Sequence, residues 1–359
     1  MFEKIIFLTL TTYNSTTYNF TMSKKKFLKQ PIEHIDITSF DARPIVNQMS
    51  KMSFSARDLA RAADIYDKMI KDKDCTIFLS LAGSTSAAGC MQIYVELVKN
   101  NMVDAIIATG ASIVDMDFFE ALGFKHYRGS KFADDLELRK NYIDRIYDTY
   151  IDEDELQACD TAVKKIADGL PPRPYSSREF IWEMGKYLVK NSKKKDSLIQ
   201  AAYENNVPIF VPAFSDCSAG LGLIVHQEER PDNHLSIDSV KDFLELTKIK
   251  MKAKTSGIMI VGGGVPKNFI QDTVIGAEVL GHSEVPPHKY VIQLTIADER
   301  DGALSGSTLK EASSWGKVEQ TYEQMVFNEA TVTLPLLASY VYYEGNWRKR
   351  KKRELAKMF

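Results

Sequence analysis

Leu59, Ala62, Ala63, Tyr66, Met69 and Ile70 recur at the i, i+3, i+4, i+7 spacing of one helix face, and Ser55 precedes them where a cap belongs. The period then changes. Residues 76–82 (TIFLSLA) form a largely apolar run of a length that suits a buried strand. GSTSAAG leads from it into a second helix with Ile93, Tyr94, Leu97 and Val98 on one face. Residues 103–109 (VDAIIAT) repeat the strand signal and are followed by GASIVDMD. Two strand–loop–helix units in tandem predict a parallel sheet. The middle of the chain is less regular: residues 152–168 read as a helix, the prolines of GLPPRPYSS break it, and Phe180, Ile181, Met184 and Leu188 mark another. The strand–helix beat resumes with strands over residues 207–213, running on to Asp216, and over 256–264, 289–297 and 324–330. The expectation is an α/β protein: a Rossmann-like parallel sheet flanked by helices, in a single large domain without internal repeats.

The chain has 359 residues, of which 44% are hydrophobic and 26% charged, with a formal net charge of -2. Nothing in that charge suggests a nucleic-acid-binding body, and no nucleic-acid partner is expected. The first 21 residues differ in character from the rest of the chain. Their apolar run, Ile5 to Leu10, is too short to span a bilayer, and it lacks a small-residue cleavage site. Residues 1–21 read as a disordered or misassigned extension, with Met22 the more natural start and a weak export signal the alternative. The other end, residues 347–359, is a basic tail expected to be solvated and frayed. Four cysteines without C-x-x-C spacing point to a reducing, cytoplasmic setting rather than a disulfide framework. The six histidines are dispersed, and no metal site is expected. His226 reads as a core or interface histidine. No membrane partner is expected either.

Chemistry-bearing residues collect after the strands, and in an open parallel sheet the carboxyl ends of the strands line the ligand crevice. GSTSAAG offers backbone N–H groups at a helix start, a favourable place for phosphate. It is neither G-x-G-x-x-G nor a P-loop, and a tight structural turn would have the same letters. GGG at Gly262–Gly264 permits close approach of a flat ligand or pyrophosphate, or makes a sharp turn. Asp115, Asp117, Asp216 and Glu329 lie just past strands, where a carboxylate can accept bonds from a ribose hydroxyl or an ammonium, or simply face solvent. Lys317 follows a Trp-Gly step in EASSWGKVEQ.

NNMVDAIIATGA, VPIFVPAFSDCSAG, GIMIVGGGVPK, LSGSTLKEASSWGKV and VFNEATVTLPLL together resemble deoxyhypusine synthase, over nearly the whole chain from about Asp36 to Gly345. The resemblance makes residues 22–346 a deoxyhypusine synthase-like, NAD-binding α/β domain. It implies NAD as cofactor, a polyamine (spermidine-like) donor, transfer of an aminobutyl group through a Schiff base on the motif lysine to a lysine of an acceptor protein, and a homotetramer with active sites shared between two subunits of a dimer. By position, Lys317 matches the Schiff-base lysine. Glu311 and Trp315 match residues lining the polyamine channel. Gly83, Ser84, Thr85, Ser86 and Ala87 match one cofactor loop and Thr109, Gly110 and Ala111 another. Asp216, Gly263, Thr295, Glu329 and Ala330 fall where the family contacts NAD. Asp115 and Asp117 stand in for a pair of family glutamates, Asp115 toward the cofactor and Asp117 toward the substrate. Asn268, on the substrate side, replaces the family's proposed general base, a histidine, and cannot take a proton. Leu221 and Leu304 replace two family aspartates. Losing two charge-assisted bonds of about 1.5–3 kcal/mol each weakens spermidine roughly 10²–10⁴-fold.

A lysine near pKa 10.4 is protonated at neutral pH, so the expectation for Lys317 is a dry slot against Trp315 that releases the free amine. Three readings stand. The first is transfer from a polyamine to a protein lysine. The second is a homospermidine synthase-type reaction with a small amine acceptor. The third is a catalytically inactive NAD-binding scaffold. An ordinary dehydrogenase lacks support in these residues.

Overall fold

The computed structural model describes residues 24–359, so the expectation for residues 1–21 lies outside it. Six strands make the central sheet: β1 (Cys75–Leu81), β2 (Ala105–Ala108), β3 (Ile209–Phe210), β4 (Thr255–Val261), β5 (His288–Thr295) and β6 (Val318–Phe327). Their spatial order is β6-β5-β4-β1-β2-β3, and every neighbouring pair is parallel. The chain builds outward from β1 through β2 to β3, then returns to the other side of β1 with β4. The strand order therefore reverses between β1 and β4.

Away from its edge strand β6, which is largely half-buried or exposed, the sheet is buried on both faces, which is why its inner strands read as runs rather than alternations. Ile77, Leu79, Leu81, Ile106, Met259, Val261, Ile292 and Leu294 join one core, with the helices Phe54–Lys71, Met91–Lys99 and Ala330–Glu344. Phe78, Ala105, Ile107, Phe210, Ile258, Ile260 and Val291 point the other way, onto Leu246, Ile249, Ile270, Leu309 and Ala312. The period-2 pleat divides neighbouring residues between the two cores.

Several local expectations are corrected. Ser53, not Ser55, takes the N-cap position of the helix Phe54–Lys71, and the Ser55 hydroxyl donates to the Phe327 carbonyl at 3.2 Å. The strand expected over 207–213 is paired only at Ile209–Phe210. An antiparallel hairpin, Ile143–Ile146 with Thr149–Asp152, fills part of the irregular middle. The basic end is docked rather than frayed. Arg350 and Asp104 form a nearly inaccessible ion pair, Arg350 Nη2 also donates to the Cys75 carbonyl at 3.0 Å, and Leu355 and Ala356 are buried. His226 is a core histidine. It accepts from the Leu235 N–H at Nε2 (3.1 Å) and so donates from Nδ1 to Asp168 (2.7 Å).

Candidate active site at the sheet's carboxyl edge

A cavity of about 750 Å³ opens at the carboxyl ends of the strands. It lies where the strand order reverses, since its walls come from Ala82–Thr85 after β1 and Gly262 and Gly263 after β4. Thr295 at the end of β5 and Glu329 to Thr331 after β6 extend it, and Ser305 closes one side. Its fourth wall is the tip of the hairpin, Ile146 to Thr149, with Tyr147 in the left-handed region (φ 54°).

The glycines here answer to space. Gly262 has φ 76°, and a Cβ on it would stand 2.7 Å from the Ala82 carbonyl oxygen across the reversal point. Gly263 is extended (φ 176°), but its Cβ would meet the Ser305 Cα at 2.5 Å. Gly83 faces open space. The β1 and β4 turns thus give a wall almost without side chains, against which a flat or phosphate-bearing ligand can lie. Glu329 caps the helix Ala330–Glu344, its Oε2 accepting from the Thr331 N–H at 2.8 Å, so one carboxylate is fixed at the rim.

The cavity gathers Gly83, Ser84, Thr85, Gly263, Thr295, Glu329 and Ala330 from the expected cofactor set. It does not gather the rest. Ser86 and Ala87 turn inward and are buried. Thr109, Gly110 and Ala111 lie behind the wall. The Thr109 hydroxyl pairs with that of Ser112, which donates to the Gly83 carbonyl at 2.7 Å, so this loop supports the cavity without lining it. Asp216 is exposed and off the cavity.

The two substitute acids have structural posts. Asp117 is fully buried: Oδ1 accepts from Leu198 N–H (2.8 Å), and Oδ2 from Ile199 N–H (2.8 Å) and the Ser197 hydroxyl (2.7 Å). It holds the start of the helix Leu198–Glu204 and does not line the cavity. Asp115 is buried too and accepts from Ala219 N–H at 3.3 Å, at the start of Ser218–Glu229. Burial pushes its carboxyl above the usual range. Glu311 closes a capping box with Thr308 on the helix Leu309–Ser314, which occupies its carboxylate with its own helix.

The dry slot at Lys317 is absent from the chain on its own. Trp315 is 69% exposed, and the Lys317 amine sits 5.2 Å from its ring centre. The lysine side chain is 13% exposed and its amine is ion-paired: Nζ stands 2.5 Å from Asp272 Oδ1. Asn268 donates from Nδ2 to Asp272 Oδ2 at 2.7 Å. Asn268 lies on the helix Gly264–Gln271, which starts at the cavity wall, and Asp272 follows that helix. Eight residues separate Gly264 from Asp272, about 12 Å of helix. The Lys317 carbonyl accepts from His288 N–H at the amino end of β5, the end away from the cavity. Lys317 is thus linked to the crevice by one helix but does not line it.

Sequence reasoning missed two features. The hairpin tip is one. The other is Lys267, buried beside the cavity wall, whose amine donates to Gln293 Oε1 at 2.9 Å and to the Ser307 carbonyl. Burial pulls its pKa down to about 8. The unbroken Gly-Gly-Gly-Val-Pro-Lys string was the available signal. Among the described residues, no group of His, Cys, Asp and Glu is placed to hold a metal ion, and no helix is long and apolar enough to cross a membrane.

An open parallel sheet, helices on both faces and a crevice at the reversal point define an α/β protein of the doubly wound, Rossmann-like class. The deoxyhypusine synthase family model matches residues 44–341. A deoxyhypusine synthase-like protein of Coxiella burnetii is 63% identical over 337 residues, 94% of this chain and 96% of its own. The probable deoxyhypusine synthase 2 of Methanosarcina mazei is 39% identical over 330 residues, 92% of this chain and 94% of its own. A solved structure from Entamoeba histolytica, assigned to the deoxyhypusine synthases, shares the fold, with TM-score 0.58 at 18% identity over 87% of this chain and 97% of that one. The chain belongs to the deoxyhypusine synthase family.

Proposed function

We propose that the protein is an NAD-dependent aminoalkyl transferase that works on a polyamine-like donor and passes the aminoalkyl group through Lys317 to an amine acceptor. The observation that carries this reading is the crevice: glycine turns from β1 and β4, Thr295 and a fixed rim carboxylate surround one cavity at the reversal point. About 750 Å³ is within the usual range of cofactor pockets. The side-chain-free wall fits a pyrophosphate, and Glu329 fits a ribose hydroxyl. NAD, when bound there, would supply oxidation of the carbon bearing the donor's secondary amine. The chain's own part is to bind and orient the donor, then to let the Lys317 amine add to the resulting imine carbon and expel the small amine. The acceptor amine afterwards displaces Lys317 in the same way, leaving an acceptor imine that the reduced cofactor, when bound, would convert back to an amine.

Two features bear on the substrates. Position 221, where the resemblance led to an acid, is an exposed leucine on a face with Ile224 and Val225, also exposed, and Leu304 is half-exposed. Both favour a donor with fewer ammonium groups than spermidine, or an apolar contact across a subunit boundary. The separation of Lys317 from the crevice of its own chain favours a site completed by a second copy, and the exposed Trp315 beside that lysine fits such a boundary.

The test is to incubate the protein with NAD and a panel of labelled polyamines and diamines, then trap with borohydride and locate the label by mass spectrometry. Label on Lys317, absent from Lys317→Ala, is the expected result. No label from any amine, with NAD bound tightly, would leave the scaffold reading in its place.

A further inference from the structure

We infer that Asp272 is the proton acceptor for Lys317, and that Asn268 is the positioning residue that aims it. This rests on the transferase reading above and deepens it. An amine that must attack carbon has to lose a proton first, and the expected route, a dehydrated slot, is not what surrounds Lys317. The groups that meet the amine are the Asp272 carboxylate at 2.5 Å and the face of Trp315 at 5.2 Å, while His288 meets only the lysine's carbonyl. A carboxylate therefore already stands at ion-pair distance from the nucleophile, close enough to take its proton.

Asn268 explains the aim. It sits one helical turn before Asp272, and its amide donates to Oδ2 at 2.7 Å, which turns Oδ1 toward Lys317. The helix itself is continuous there, with Asp272 N–H donating to the Asn268 carbonyl at 2.8 Å. Position 268 thus has no need to titrate, because its partner four residues on is the group that can. The Asp272 side chain is 31% exposed, open enough for a substrate amine to reach it.

The step balances. The Lys317 ammonium gives a proton to Asp272 Oδ1, and its freed electron pair forms the bond to the protonated imine carbon. The departing nitrogen takes that proton back from Asp272, and the Lys317 nitrogen gives Asp272 a second one; the electron pair so freed forms the carbon–nitrogen double bond as the bond to the departing amine breaks, and that amine takes the second proton from Asp272 and leaves as an ammonium. Lys317 is left as a protonated Schiff base.

Two measurements decide it, both on the full-length protein. In borohydride trapping with NAD and a donor amine that labels wild type, Asp272→Asn should slow adduct formation at least about 100-fold with little change in the donor concentration for half-saturation. Asp272→Glu should recover part of the rate, and Asn268→Ala should lose about tenfold. Separately, Lys317 is acylated by a neutral amine reagent at fixed pH, without donor or NAD, and quantified by mass spectrometry. Acylation should be several-fold faster in Asp272→Asn, because the carboxylate that grips the amine has gone. A variant that labels at the wild-type rate overturns the catalytic role, and an unchanged acylation rate overturns the coupling. If wild type forms no adduct with any amine, the transferase reading fails and takes the catalytic role with it, while the acylation rate still decides whether Asp272 holds Lys317.

Discussion

Lys250 shows what burial does to a single charge in this protein. Its amine lies in the core and donates to the Ser256 hydroxyl at 2.9 Å and the Pro286 carbonyl at 2.6 Å, and among the described residues no carboxylate is bonded to it. Burial pulls its pKa down to about 8. The folded value is below the unfolded one, so between about pH 8 and 10.4 the unfolded chain binds more protons, and this group's contribution to stability rises with pH. Lys250→Met removes the titration. The stability of wild type relative to the variant should therefore rise by about 1–2 kcal/mol from pH 7.5 to pH 9.5 in urea melts. A flat difference would mean the amine keeps its charge throughout. Gly263 tests the other residue-scale claim, that the crevice wall has no room. Gly263→Ala drives a methyl into Ser305, should cost about 1–3 kcal/mol, and should weaken NAD binding in calorimetry by at least about tenfold. An alanine variant that binds NAD as wild type does would move the cofactor elsewhere.

At the scale of elements, Asp117 is the instructive acid. From the sequence it is a carboxylate after a strand, the place where ligand-binding acids stand in sheets of this kind. What it actually meets, Ser197 to Ile199, lies some eighty residues on, and only the fold brings that helix start to it. Asp117→Ala should cost about 2–3 kcal/mol, because two buried N–H groups lose their acceptor, yet leave the yield of Lys317 adduct per folded molecule unchanged. A stable variant with a weakened donor would return Asp117 to the substrate pocket. The strands themselves were legible because a sheet buried on both faces writes continuous apolar runs, and the crevice was legible because those runs end in glycines and small residues. The hairpin over the crevice was not. Its turn, Tyr147-Asp148, lacks the glycine or asparagine that marks two-residue hairpins, and its strands, in IDRIYDTYID, do not keep a strict alternation. The Asp272 partnership was equally hidden: nothing in the spacing of residues 272 and 317 announces an ion pair.

The whole molecule is held at one end by the tail and completed, on the present reading, at the other by a second copy. Arg350 docks the basic end onto Asp104 and the Cys75 carbonyl at the amino ends of β1 and β2. Arg350→Ala leaves Asp104 buried without its partner and should cost about 3–5 kcal/mol in denaturant melts, where a frayed tail would cost nothing. The sheet's opposite edge carries the crevice, and Lys317 does not line it. If each active site joins the crevice of one subunit to the Lys317 of another, two dead variants should rescue each other. Lys317→Ala has a sound crevice and no nucleophile. Ala88→Trp, at an exposed residue of the cavity wall, has the nucleophile and a blocked crevice. Unfolded together and refolded as a mixture, they form some assemblies in which the crevice of the first meets the lysine of the second. In a mixed pair one of the two sites is whole, so transfer should return to a substantial fraction of the wild-type level, and borohydride should fix the label on the Ala88→Trp chain alone. A mixture as inactive as its components would place lysine and crevice in one subunit, and the helix Gly264–Gln271 would then have to move to bring them together.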